Sequence, residues 1–157
     1  MLQDIRRAVS AVPDPELPMV SIADLGILRE VTESDGTVTV VVTPTYSGCP
    51  AMDAIRDDVR TAAIAAGATE VVIRTVLSPP WTTDWLTDTA HRILAENGIA
   101  PPQPQAAPSG VPLALSIRCP QCGSLATEQS SQFGATACTA LHRCRECLEP
   151  FTHMKAI

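Results

Sequence analysis

The stretch "TVTVVVTPTYSGCPAMDAIRDDVRTAAIAAGATEVVIRTVL", Thr37 to Leu77, decides the fold. Val38, Val40 and Val42 alternate with Thr39, Val41 and Thr43, the two-residue period of a strand. Both faces are apolar enough for a strand central to a covered sheet. From Pro50 to about Ala66 the period becomes helical, with Met52, Ile55, Val59, Ala62 and Ala63 forming an inward stripe. Proline suits a first helical turn, and Gly67 suits the exit. "TEVVIRTVL" returns to strand. A strand–helix–strand crossover of this length makes the two strands parallel.

Upstream, "LQDIRRAVSAV" places Leu2, Ile5, Val9 and Val12 at helical spacing, and Pro13 ends the run. "PDPELPMVSIADLG" carries three prolines in its first six residues and reads as a loop. "ILREVT" then forms a strand that turns through "ESDG" into the valine strand, with Gly36 free to take positive φ. Downstream, "SPPWTTDWLTDTAHRILAENG" turns at its prolines. It continues as a helix with Trp85, Leu86, Ile93 and Leu94 inward and Gly98 as terminator. The fold class is therefore α/β (α+β): a small mixed sheet with the order α-β-β-α-β-α over residues 1–99. Residues 100–115 are a proline-rich, semi-rigid linker. Residues 116–157 form a separate module, too small to fold on apolar burial alone.

The 157 residues are 45% hydrophobic but only 3% aromatic, so the core is built of Val, Ile, Leu and Ala. The net charge of −6 is uneven: residues 1–100 carry 7 Lys and Arg against 14 Asp and Glu, and residues 101–157 carry 4 against 3. An acidic front repels phosphate backbones and the tail is barely basic, which argues against nucleic acid as a partner. No apolar run could span a bilayer, and no basic-then-apolar leader is present. These features predict a cytoplasmic protein with no membrane partner.

Six cysteines could make three disulfides in a secreted chain. Without a leader, Cys119-x2-Cys122 and Cys144-x2-Cys147 read instead as metal ligands. Each C-x2-C turns two sulfurs toward one ion, and two such turns complete a tetrahedral tetrathiolate site. The 21-residue spacer is slightly longer than usual for this motif. Structural zinc is the expectation, and iron in the same four sulfurs is the rival. Cys138 reads as a buried small hydrophobe, His142 and His153 as surface or packing residues, and His91 as solvated.

Cys49 stands apart. If Pro50 opens the helix, the thiol sits at its N-terminal end, where unpaired N–H groups favour the thiolate. Core filler, nucleophile and soft-metal ligand are the three readings. Asp14 and Glu16 are the nearest plausible carboxylates, and no histidine lies in the surrounding loops, which weakens the nucleophile.

"DPELPMVSIADLGIL" together with "TPTYSGCPAM" resembles the iron–sulfur-assembly domain of SufT and of Mrp-type cluster carriers. Asp14, Pro15, Glu16, Asp24, Leu25, Gly26, Thr43, Thr45, Gly48, Cys49 and Pro50 match that pattern. "SPPWTTDWL", the proline linker and "FGATACTALHRCRECLEPF" resemble the PaaD family, accessory to the phenylacetyl-CoA epoxidase system. The family carries Lys after the "TAC" cysteine and a cysteine near its end, where this chain has Thr139 and Ala156. The resemblance implies a non-catalytic role in aerobic phenylacetate degradation, assisting iron or iron–sulfur insertion into the reductase or oxygenase. It implies Cys49 as cluster or iron ligand, supported by Asp14, Glu16, Thr43, Thr45 and Gly48. The cofactors implied are zinc in the ribbon and a transient cluster or iron. The partners are the reductase or oxygenase subunits, and a homodimer is compatible with it. The alternatives are a zinc-ribbon adaptor that scaffolds oxygenase subunits without cluster chemistry, and a thiol enzyme.

Overall fold

A computed structural model describes residues 1–104 and 116–157. The chain divides into two compact units, Met1–Ala90 and His91–Ile157, with the boundary inside a helix.

The first unit begins with α1 (Leu2–Ser10), whose Ile5 and Val9 are fully buried one turn apart. The helix stops three residues before Pro13. The segment 13–21 loops out and is closed by a bridge between Pro13 and Ser21. β1 (Leu28–Ser34) and β2 (Thr37–Val42) pair antiparallel, and β2 pairs parallel with β3 (Glu70–Thr75). The three-stranded sheet is mixed, in the order β1-β2-β3. Its hairpin is tighter than the four-residue turn read from "ESDG". Ser34 still pairs with Thr37, and only Asp35 and Gly36 turn, at φ +50° and +80°. Asp-Gly is the pair that takes positive φ at both positions of a two-residue turn.

The central strand shows the expected alternation, with Val38, Val40 and Val42 buried and Thr37, Thr39 and Val41 half-buried. α2 (Met52–Ala65) buries Met52, Ile55, Val59 and Ala63 and packs on α1 and β3. Ala62, expected inward, is half-buried. The helix starts at Met52, not at Pro50, which lies in a preceding turn.

After β3 the chain makes a short 3-10 turn (Thr83–Trp85) and then α3 (Asp88–Glu96). Trp85 and Leu86 therefore precede the helix rather than lining its inner face. Leu94 is buried, Ile93 only half so, and the fully committed indole is Trp81. Its Nε1–H donates to the Leu25 carbonyl at 2.8 Å. The Asp24 carbonyl accepts from the Thr87 N–H at 3.0 Å, and its carboxylate accepts from the Thr87 hydroxyl at 2.8 Å. Gly26, at φ +78°, lies so close to Trp85 that a Cβ there would stand 2.7 Å from the tryptophan Cβ. The segment Trp81–Thr87 is thus a strap bonded across residues 24–26.

In the second unit, β4 (Ile99–Ala100), β5 (Thr127–Ser131), β6 (Thr139–Cys144) and β7 (Pro150–Met154) form a four-stranded sheet in the order β4-β7-β6-β5. β4 runs parallel to β7 and the other pairs are antiparallel. Ala100, read from sequence as the first residue of the linker, is therefore a sheet residue together with Ile99. Residues 105–115 of that linker lie outside the described residues. One buried cluster of this unit is Ala100, Cys119, Cys144 and Phe151, with Ile117 packed against it, and Leu94, Cys138, Ala140 and Met154 are buried as well. No helix among the described residues is long and apolar enough to cross a membrane.

Candidate functional site

The parallel pairing of β2 with β3 sets Val42 opposite Thr75, so both strands end at the same edge. In an open sheet with helices, ligands are held beyond that carboxyl edge. The loop that leaves β2 there carries Thr43, Thr45, Gly48 and Cys49. Tyr46 to Cys49 form a turn closed by the Cys49 N–H on the Tyr46 carbonyl at 3.2 Å. Gly48 has φ +79°, the conformation a turn of this kind demands at its third residue. The Cys49 carbonyl then accepts from the Met52 N–H at 3.2 Å, leading the chain into α2.

Cys49 is partly exposed and lines a cleft of about 410 Å³ with Pro44, Pro50, Met52, Arg56 and Leu77. The Thr45 hydroxyl lies 3.9 Å from its sulfur. Arg56 is fixed by Asp53 at 2.8 Å and by the Thr75 hydroxyl at 2.9 Å. Thr43 is buried, and its hydroxyl has no hydrogen-bond partner among the described residues.

Asp14 and Glu16 are not among the residues lining this cleft. Asp14 is buried, and one of its carboxylate oxygens accepts from the N–H groups of Glu16 at 2.9 Å and Leu17 at 2.8 Å. It holds its own proline-rich turn, the way Asp commonly organises loops. Burial raises its pKa, against the lowering effect of those two N–H groups. Burial, and then the Asp14 charge, raise that of Glu16.

The second unit brings Cys119, Cys122, Cys144 and Cys147 together, with all four sulfurs within 4.8 Å of one another. Cys119 and Cys147 sulfurs are 3.7 Å apart, and Cys122 and Cys144 sulfurs 3.6 Å. Disulfide sulfurs would stand at about 2.0 Å. Four sulfurs placed tetrahedrally at about 2.3 Å from a zinc would stand about 3.8 Å apart. The cysteines therefore fit a tetrahedral metal and not a pair of disulfides. Their protonation agrees. Cys144 is drawn down to about 7, first by the Cys147 N–H aimed at its sulfur. For Cys147 the Glu149 N–H works to lower the pKa, but burial and the three other sulfurs push it up to about 12.

Cys138 is buried outside this cluster, its sulfur 3.0 Å from the Thr136 hydroxyl. His142 and His153 are packing residues, buried with ring centroids 5.2 Å apart, and His142 stacks on Phe151. Burial holds both imidazoles below their ordinary pKa, His153 at about 4. His91 is half-buried rather than fully solvated.

The profile of the PaaD zinc beta ribbon domain matches residues 103–155, and that of the iron–sulfur cluster assembly protein family matches residues 2–73. Along 99% of its length the chain is 42% identical to a protein of Escherichia coli (strain K12) that is named for the 1,2-phenylacetyl-CoA epoxidase, as one of its subunits, and it covers 93% of that protein. The chain belongs to the PaaD family. Its front half is also 39% identical over 90 residues to an Fe-S protein maturation auxiliary factor of Porphyromonas gingivalis (strain ATCC BAA-308 / W83). That match covers 56% of this chain and 85% of the other. A DUF59 domain from Bacillus anthracis is similar in structure, with a TM-score of 0.54 and 28% identity over 59% of this chain and 90% of that one.

Two features of this PaaD-family chain escaped the sequence. Arg56 and Thr75 reach the Cys49 cleft because the parallel register sets the end of β3 beside the cysteine loop. The register itself was the available signal. The "DLG" residues resemble a functional motif, yet here their carbonyls and the glycine serve the strap.

Proposed function

We propose that this chain is a non-catalytic maturation factor of the phenylacetyl-CoA epoxidase system. It offers the Cys49 thiol as a transient ligand for iron or an iron–sulfur cluster bound for the reductase or oxygenase. The metal cargo is the substrate, and the chain binds and releases it. One observation carries the reading: Cys49 is a partly exposed thiol on a cleft wall, while four other cysteines are gathered elsewhere. Among the described residues no histidine lines the cleft, and the carboxylate that does, Asp53, is taken by Arg56. A thiol without a base favours ligation over nucleophilic catalysis. A single sulfur leaves most of a cluster's positions to another donor, which suits hand-over.

In this reading the ribbon cysteines hold structural zinc. Four thiolates leave no open position, so the zinc has no hydrolytic role. The first unit acts as the assembly domain, and the ribbon, residues 116–157, docks the client. A reducing cytoplasm would keep the cysteines from forming disulfides.

The test is growth on phenylacetate of a strain whose only copy carries Cys49→Ser. Loss of growth, with zinc content and melting temperature near wild type, is expected. Wild-type growth returns Cys49 to core filler. A scaffold without cluster chemistry is the second reading, favoured by exposed apolar residues on the ribbon, Phe133 at 61% and Leu125 at 53% among them. Protein purified without oxygen separates the two, since a scaffold contains zinc and no iron.

A further inference from the structure

The four-cysteine centre has an internal two-fold pattern that the spacing of the cysteines does not reveal. Arg118-Cys-Pro-Gln-Cys-Gly-Ser124 and Arg143-Cys-Arg-Glu-Cys-Leu-Glu149 follow one plan. In each, the N–H of the first cysteine donates to the carbonyl five residues on, Cys119 to Ser124 at 2.9 Å and Cys144 to Glu149 at 3.0 Å. In each, the residue after the second cysteine is left-handed, Gly123 at φ +76° and Leu148 at φ +65°. In each, the arginine before the first cysteine donates to the carbonyl of that left-handed residue. Arg118 Nη1 reaches the Gly123 oxygen at 2.7 Å, and Arg143 Nε reaches the Leu148 oxygen at 3.4 Å.

We propose that Arg118 and Arg143 are matched positioning residues of the metal centre. Each bridges its own knuckle from the residue before the first sulfur to the residue after the second. The turn that aims both sulfurs is thereby closed by a side chain as well as by backbone. Each also fixes a positive charge on its knuckle, where a divalent ion held by four thiolates keeps a net negative charge. Partners just outside the ligands set how firmly ligands are held.

The two halves are not equal. The first knuckle has glycine at its left-handed position and the shorter arginine bond. The second places a leucine there, 59% exposed, in a conformation that crowds its Cβ against backbone, and its arginine bond is long. The second knuckle is the looser half, and Arg118 is the stronger clamp.

The inference rests on the reading of the four cysteines as a metal centre, and cobalt distinguishes the two. The full chain loaded with Co2+ is mixed with excess EDTA, and loss of the thiolate-to-cobalt absorption is timed. Arg118→Met should speed release on the order of tenfold, within the range seen for lost outer partners. Arg143→Met should speed it less. Arg118→Lys, which keeps the charge and can reach the carbonyl, should stay near wild type. Leu148→Gly should release more slowly than wild type, a gain that damage to the fold cannot mimic. A wild-type chain with no cobalt absorption overturns the metal centre and this inference with it. Normal absorption with unchanged release in Arg118→Met, or faster release in Leu148→Gly, overturns this inference alone.

Discussion

The two units of this chain solve the same problem with different means. The first closes a sheet and two helices over a dozen buried aliphatic side chains, Ile5, Ile22, Ile27, Ile55 and the three valines of β2 among them. Among the described residues the second buries Leu94, Ala100, Cys119, Cys138, Ala140, Cys144, Phe151 and Met154, and three of these eight are cysteines. A unit held by apolar burial can leave its one cysteine at the surface of a cleft. A unit with little to bury must commit its cysteines to holding itself together. The same residue type is thus gathered into a four-sulfur cluster in one place and left partly exposed on a cleft wall in the other.

Removing metal should break that contrast most severely. Cys119→Ser, or metal stripped by a chelator, should deprive the second unit of about 10 kcal/mol, by the scale of small zinc modules. Limited proteolysis should then clear residues 116–157 while the first unit survives. A metal-free tail that resists protease would show that its core suffices after all.

The next largest effect should fall on the first unit. Gly26→Ala puts a Cβ 2.7 Å from that of Trp85 and 3.0 Å from its carbonyl oxygen, at a φ that disfavours side chains. Left-handed strain and overpacking together should cost about 3 kcal/mol, read as a lower melting temperature of the first unit with cobalt binding unchanged.

Asp14 sharpens the comparison on a smaller scale. Asp14→Ala orphans two N–H groups and should cost about 1–2 kcal/mol. Asp14→Asn keeps a single oxygen that can accept both bonds and removes a buried charge, so it should match or exceed wild type at neutral pH. The sign follows from linkage. The folded-state pKa is raised above its ordinary 3.8, so the folded chain holds the proton more tightly. That stabilisation is fully present below 3.8 and is lost as pH rises through the raised folded value. Melting followed from acid to neutral pH should show this loss in wild type and not in Asp14→Asn. If Asp14→Asn melts normally yet fails to support growth, the carboxylate has a task beyond its turn.

The smallest effect on stability should be that of Cys49→Ser. Partly exposed and held by backbone turns, it should shift stability by under about 1 kcal/mol. A larger loss would place Cys49 with the cysteines of the second unit, as a structural residue.

Much of this was legible in the sequence because the period of apolar residues changes cleanly at Thr43 and again at Gly67. Alternating valines fixed the central strand, and a helix between two strands fixed the parallel pair. The four ribbon cysteines were legible for a different reason: their spacing is set by the geometry of one metal. What escaped depends on long-range partners that periodicity does not encode. Trp85 looked inward on a helical count, but the helix begins only at Asp88, and Trp85 instead lies under the Arg29 guanidinium at 3.9 Å from its ring centre. Asp14 and Glu16 read from sequence as the nearest plausible carboxylates to Cys49, and neither lines its cleft. The Asp14 carboxylate is instead used within three residues of itself. Ala100 precedes two prolines and reads as linker, while its pairing with β7 is settled some fifty residues further on.

The strap from Trp81 to Thr87 also sets an order of events while the chain is being made. The bonds it forms run back across 56 and 63 positions, to Leu25 and Asp24. A nascent chain that has emerged only to Thr75 already carries all three strands and both long helices of the first unit. It still leaves the Leu25 carbonyl and one Asp24 carboxylate oxygen, Oδ1, without their strap partners and the neighbourhood of Gly26 open. Synthesis arrested at that length should yield a protease-susceptible intermediate, and arrest a few turns of elongation past Thr87 a resistant one. The first unit would thus be closed by the seven residues Trp81 to Thr87, before the ribbon cysteines have left the ribosome.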